Sequence, residues 1–219
     1  MPSITRSPKS KRTTSDADRE RRRDEFRRRL LDATESLMRE GASFTELGVE
    51  RLAVAAGSSR ATFYVYFKDK SQLLGDFAEQ ILTEVGDAVQ RLWQTSPPSP
   101  QQMCNAMGEA IAVYRKHQPI LTAITEVAQY TPEIDAIYRD LIERNAGYSR
   151  DFLEREQAAG RVRPLDSPEV ARVMTWMVER CCLQMLRDAS GEADVRLAET
   201  LAQMVWATIY LEDPSTGRR

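Results

Sequence analysis

The chain has 219 residues, 42% hydrophobic and 29% charged, a balance that suits one sizeable core or a small domain joined to a larger one. No apolar run reaches transmembrane length and the N-terminus lacks a signal-peptide core, so the expectation is a cytoplasmic protein without a membrane partner. Three cysteines, Cys104, Cys181 and Cys182, are an odd number in no metal-binding spacing, which excludes a disulfide scaffold and a zinc module.

The net charge of −2 conceals an asymmetry. Residues 1–74 carry 16 Lys and Arg against 11 Asp and Glu, a net +5, and residues 75–219 carry a net −7. A basic N-terminal part beside an acidic remainder fits a nucleic-acid-binding module attached to a domain with another task. Residues 1–20, rich in Ser, Thr, Lys and Arg, read as a disordered basic arm. Residues 21–69 read as a small helical domain. Its first helix sets Phe26, Leu30, Ala33 and Leu37 on one face and ends at Gly41.

Two short helices follow, joined by Ala56-Gly57-Ser58-Ser59. Gly57 can take the left-handed conformation that ends the first of them, and Ser59 can cap the second. Leu52, Ala53 and Ala56 keep the inner side of the first small, so the second can cross it closely. The second shows Arg60, Thr62, Tyr64 and Tyr66, while Phe63 and Phe67 recur at i, i+4 as buried anchors. A rigidly held short helix offering guanidinium, hydroxyl and phenol groups suits the major groove of DNA.

This segment resembles the DNA-binding domain of the TetR family of bacterial transcription regulators. The resemblance rests on Phe44-Thr45, Leu52-Ala53, Ala56-Gly57, Ser59, Thr62, Phe63-Tyr64, Tyr66-Phe67, Lys70 and Leu73-Leu74, over about fifty residues. From the helix geometry, Ser59, Arg60, Ala61 and Thr62 should lie nearest the base edges. Arg60 can reach a guanine, and the methyls of Ala61 and Thr62 a thymine. Thr45 and Gly48 can add contacts to phosphate. The resemblance assigns phosphate contacts to Tyr64, Tyr66 and Lys70.

Residues 70–219 read as a helical regulatory and dimerisation domain, with no strand pattern. Asp69 and Gln72 look like a capping box, opening a long helix to about Trp93 that carries Phe77, Ile81, Val85, Val89 and Leu92. Three prolines in residues 95–100 break the chain. Further helices carry Met103, Met107, Ile111 and Tyr114, then Ile120, Leu121, Ile124 and Val127. A long helix opened by Thr131-Pro132 carries Ile134, Tyr138, Leu141, Asn145, Tyr148 and Phe152. Ser167-Pro168 opens a helix to about Ala189, and the last runs from about Ala193 to Leu211.

Those last two helices are apolar almost all round, as if buried on two faces. One face can pack on the body and the other on a partner, which implies a homodimer. The resemblance implies the same, through a four-helix bundle of the last two helices from each subunit. A weaker resemblance, carried by Met177-Val178-Glu179-Arg180 and Ala207-Thr208-Ile209-Tyr210, is to the branch of that family that controls ethionamide activation in mycobacteria. Where that branch addresses its ligand with asparagines, this chain has Thr175 and Val178, which implies a different, less polar effector.

Catalysis has little to work with. The single histidine, His117, sits at a helix boundary and reads as a cap, and no Glu-x-x-His or phosphate-binding glycine loop occurs. Neither a cofactor nor a metal is expected. Cys181-Cys182, close to Met177 and Met185, reads as packing. Small-molecule binding is better supported. Met103, Met107, Tyr114, Asn145, Tyr148, Phe152, Thr175 and Trp176 form an apolar, aromatic candidate lining. Asn145 interrupts an apolar stripe, where an unpaired amide would be costly.

The reading is therefore an all-α, ligand-responsive regulator, a repressor that a small hydrophobic effector releases from a palindromic duplex operator. The alternative is a helical-bundle enzyme, or a small-molecule-binding protein without a DNA function.

Overall fold

The computed structural model describes residues 10–95, 97–186 and 191–210, all of it helices and their connections, with no strand among them. The chain divides into two compact units, residues 1–72 and 73–219. The first holds α1 (Ser10–Arg39), α2 (Val49–Ala55) and α3 (Arg60–Tyr66), and α4 (Lys70–Gln94) begins in it. The second holds the rest of α4, then α5 (Pro100–Lys116), α6 (Gln118–Ala128), α7 (Pro132–Ala158), α8 (Ser167–Met185) and α9 (Gly191–Ile209).

In the first unit α1 starts at Ser10, so residues 10–20 of the expected disordered arm are helical, and residues 1–9 lie outside the described residues. Phe26, Leu30 and Leu31 are its buried apolar residues, whereas Ala33 and Leu37 are only half-buried. The inner face is therefore turned from the expected stripe. Thr34 occupies it by satisfying its own hydroxyl on the Leu30 carbonyl at 2.6 Å.

The turn between α2 and α3 follows from its residues. Gly57 adopts φ +67°, which lets its N–H donate to Val54 O and that of Ser58 to Ala53 O, closing α2 in a Schellman motif. Ser59 Oγ accepts the Thr62 N–H at 3.1 Å and opens α3. At α4 the expected capping box is displaced by one residue. Asp69 accepts the Gln72 N–H at 2.8 Å, but the Gln72 side chain reaches back to the N–H of Lys68 instead of Asp69.

In the second unit α7 packs on α8 and α5 on α9. Ser99 and Gln102 form a reciprocal capping box at α5, and His117 closes α5 and opens α6, a cap as expected. The cap of α8 is Asp166, one residue before the expected Ser167, because its carboxylate accepts the Glu169 N–H. The α9 helix begins at Gly191 and ends at Ile209; Ala189 and Leu211, the expected ends of the last two helices, lie outside the described residues. Arg115 of α5 donates to both carboxylate oxygens of Asp194 and to the Leu186 carbonyl, joining α5 to the end of α8 and the start of α9. Buried Glu156, near the end of α7, is held by Arg161 at 2.7 and 3.0 Å, so its charge is paired where the chain turns toward α8.

Candidate functional sites: an exposed short helix and a buried cavity

The α3 helix has two unlike sides. Phe63 and Phe67 are 0% and 1% exposed, and their ring centroids lie 5.4 Å apart. Arg60, Ala61, Tyr64 and Val65 face solvent. The Arg60 guanidinium lies over the Tyr64 ring, 5.7 Å from its centroid, so cation–π attraction limits its wandering. Thr62 is half-buried, with its hydroxyl 3.0 Å from that of the capping Ser59. Tyr66 is also half-buried, its ring 5.1 Å from Phe26. Thr45 is exposed and shares a 2.7 Å hydrogen bond with Ser43. Gly48 caps α2 with nothing within 4 Å of where a Cβ would stand. Exposed Val65, absent from the expected set, adds an apolar group that could meet a thymine methyl.

Lys70 is placed differently from the expectation of a simple phosphate contact. Its Nζ donates to three carbonyls, Phe44 at 3.1 Å and Thr45 and Leu47 at 2.8 Å each. All three ammonium protons are thus engaged within the unit. Partial burial also lowers its pKa. In this conformation Lys70 ties down the loop that carries Thr45.

In the second unit, α4, α5, α7, α8 and α9 line a partly open apolar cavity. Val85, Val89 and Trp93 line it from α4, and Met107, Ala110 and Tyr114 from α5. The α7 helix adds Asn145 and Ser149, α8 adds Thr175, Val178 and Glu179, and α9 adds Val205. It has about 50 Å³ of room for the centre of a water-sized sphere, enough for a few waters.

Of the expected lining, Met107, Tyr114, Asn145 and Thr175 reach the cavity, and Met103, Tyr148, Phe152 and Trp176 do not. Met103 is fully buried elsewhere in the core. Tyr148 lies against Gly86, with a ring carbon 3.4 Å from the position a Cβ would take. Phe152 stacks behind the wall on Trp93, 4.2 Å between centroids. Trp176 turns its indole N–H to Glu143, at 3.2 Å on the exposed side of α8. Helical spacing placed these four on elements that line the cavity, but not on the sides that face it.

Asn145 is paired already. Its amide donates to the Leu82 carbonyl at 3.1 Å, and its Oδ1 would stand only 2.4 Å from a Cβ at position 86, so glycine is what lets α7 approach α4 there. Trp93 Nε1 donates to Ser149 at 3.0 Å and Thr175 to the Ala171 carbonyl at 2.9 Å.

Glu179 was missed. It is 1% exposed, accepts the Tyr138 hydroxyl on Oε1, and burial raises its pKa to about 7 against the weaker opposing pull of Arg180. A glutamate inside the apolar run Trp176-Met177-Val178-Glu179 is the same kind of signal that singled out Asn145. Nearby Cys182 is buried and its thiol is pushed up to about 12, mainly by that burial, which leaves it protonated and inert. Among the described residues no group of His, Cys, Asp and Glu side chains could hold a metal ion, and no helix is long and apolar enough to cross a membrane.

Residues 30–76 match the family model described as "Bacterial regulatory proteins, tetR family", and residues 103–211 match "Transcriptional regulator EthR, C-terminal domain". The HTH-type transcriptional regulator EthR of Mycolicibacterium smegmatis is 24% identical over 214 residues, covering 95% of this chain and 94% of the relative. Among solved structures, a TetR-family regulator from Mesorhizobium loti aligns with a TM-score of 0.66 at 18% identity, over 87% of this chain and 99% of that one. The regulator FadR of Bacillus subtilis, in complex with stearoyl-CoA, aligns with a TM-score of 0.69 at 13% identity, over 83% and 98%. These structures share the fold with this chain.

Proposed function

We propose that this chain, which belongs to the TetR family of bacterial transcription regulators, is a homodimeric repressor released from a palindromic operator by a small apolar effector. The observation that carries the DNA-binding half of this reading is the two-sided α3. Two buried phenylalanines fix the helix, and Arg60, Ala61 and Tyr64 are left outside on it. Each subunit would place α3 in a major groove. Half-site centres would then lie about one helical turn apart, roughly 34–36 Å, or a multiple of that. The protein acts in the cytoplasm and by binding, without catalysis.

Selection from random duplex DNA should enrich a pseudo-palindrome, and failure to enrich any motif would refute the reading. Arg60→Ala should relax the preference at one base pair per half-site, at about 1–3 kcal/mol, and leave other positions as selective as before. An equal loss on all sequences would instead make Arg60 a backbone contact.

The cavity supports the effector half of the reading. An effector releases DNA only through its difference in affinity between the binding and non-binding states of the protein. Val178→Phe should fill part of the cavity. The expected result is an equal or higher melting temperature without ligand, and loss of the melting shift caused by compounds that bind the parent protein. If the cavity is a packing defect with no room to spare, the same change costs about 1–3 kcal/mol by overpacking.

A further inference from the structure

Four polar side chains of the cavity wall are already engaged with one another or with the backbone. Asn145 and Thr175 donate to backbone carbonyls, and Trp93 donates to Ser149. Glu179 Oε1 accepts from Tyr138, but Oε2 is buried and has no hydrogen-bond partner. Arg180 Nε stands 3.6 Å from that oxygen, beyond hydrogen-bonding reach, on a side chain that is more than half exposed. Glu179 is also the only carboxylate among the described lining residues. A buried carboxylate oxygen without a hydrogen bond is costly, and a ligand that donates to it recovers that cost.

We propose that the cavity binds a slender apolar primary amine, its ammonium donating to Glu179 Oε2 and its chain lying along Val85, Met107 and Val205. This rests on reading the cavity as the effector site. A cation is favoured over a neutral donor because it forms a charge-assisted bond and holds the carboxylate ionised. A carboxylate ligand is disfavoured by repulsion. The small volume favours a thin chain over fused rings.

The pH dependence has a definite sign. Glu179 titrates near 7 when the cavity is empty, whereas an ammonium beside it lowers that value. Amine binding therefore releases a proton below that pH, so affinity rises with pH up to about 7 and then levels. Of the other groups around Glu179, Tyr138 of α7 is its hydrogen-bond donor and Arg180 its neighbour at 3.6 Å, and burial raises Tyr114 of α5 well above the usual tyrosine range and Cys182 of α8 to about 12, so these two stay neutral. The α4 and α9 helices contribute no titratable group to the wall.

The test is calorimetric titration of the full chain with octylamine, octan-1-ol and octanoate at about pH 7.5 and about pH 5.5. Octylamine should bind about tenfold or more tightly than octanol at the higher pH, with octanoate weakest. Its affinity should fall about tenfold at the lower pH while that of octanol holds. Glu179→Gln should abolish the preference for the amine, and the pH contrast in the unmodified protein stands if that variant does not fold. Octanol matching octylamine at both pH values would overturn the amine and leave the cavity reading intact. No binding by any of the three chains would overturn both.

Discussion

Lys70→Met should lower the stability of the first unit by about 2 kcal/mol and weaken binding to every DNA sequence alike. The magnitude follows from three charged hydrogen bonds, each worth about 1.5–3 kcal/mol when well shielded, discounted because water reaches the Thr45 carbonyl and part of the others. The expected salt dependence separates this role from the phosphate contact assigned by resemblance. If Lys70 organises the loop around Thr45, the slope of log affinity against log salt changes little. If its ammonium faces a phosphate, the slope falls by about one unit, with stability unchanged. Lys70→Arg sharpens the contrast. It keeps the charge, but a planar guanidinium cannot serve three carbonyls converging on one atom, so stability should still fall. Thermal unfolding and binding at several salt concentrations read both outcomes.

The difference between the two units in legibility has a physical cause. The α2–α3 turn could be read because each feature is local: Gly57 must take a positive φ, Ser59 caps the N–H three residues on, and Phe63 and Phe67 are one helical turn apart. The Lys70 bonds span 23 to 26 residues, and spacing carries no trace of them. The cavity shows the same limit. Met107, Tyr114, Asn145 and Thr175 reach it, but whether Phe152 faces the void or the Trp93 ring behind it depends on how five helices meet. Period separates the inside of a helix from its outside. It does not separate a wall from a filled core a few ångströms behind it. Polar residues in apolar runs were the better guide. Asn145 was noticed for that reason, and Glu179 met the same condition.

The second large effect concerns the last two helices. Charging the open apolar face of these helices should give a folded monomer. Leu201 is 1% exposed and belongs to the chain's own interior, and Trp206 is half-buried against Tyr210, 4.1 Å between ring centroids. The apolar groups left open on these helices are Val173 and Met185 on α8, each 57% exposed, and Val195 and Met204 on α9, 58% and 49% exposed; Val173 and Met204 are the pair to charge. Met177, one turn beyond Val173, is half-buried. In an isologous dimer the same surface is used by both subunits, so each charge added to it enters the interface twice and is buried there without a partner. Val173→Asp combined with Met204→Asp should therefore sediment as a monomer with a near-parental helical spectrum. Losing the second reading head should weaken operator binding on the order of a hundredfold or more, with each half-site still bound weakly. Leu201→Asp, by contrast, buries an unpaired charge and should unfold the second unit. Sedimentation of the unmodified chain as a monomer at micromolar concentration, or of the double variant as an unchanged dimer, would show that the face carried by Val173 and Met204 is not where two copies meet.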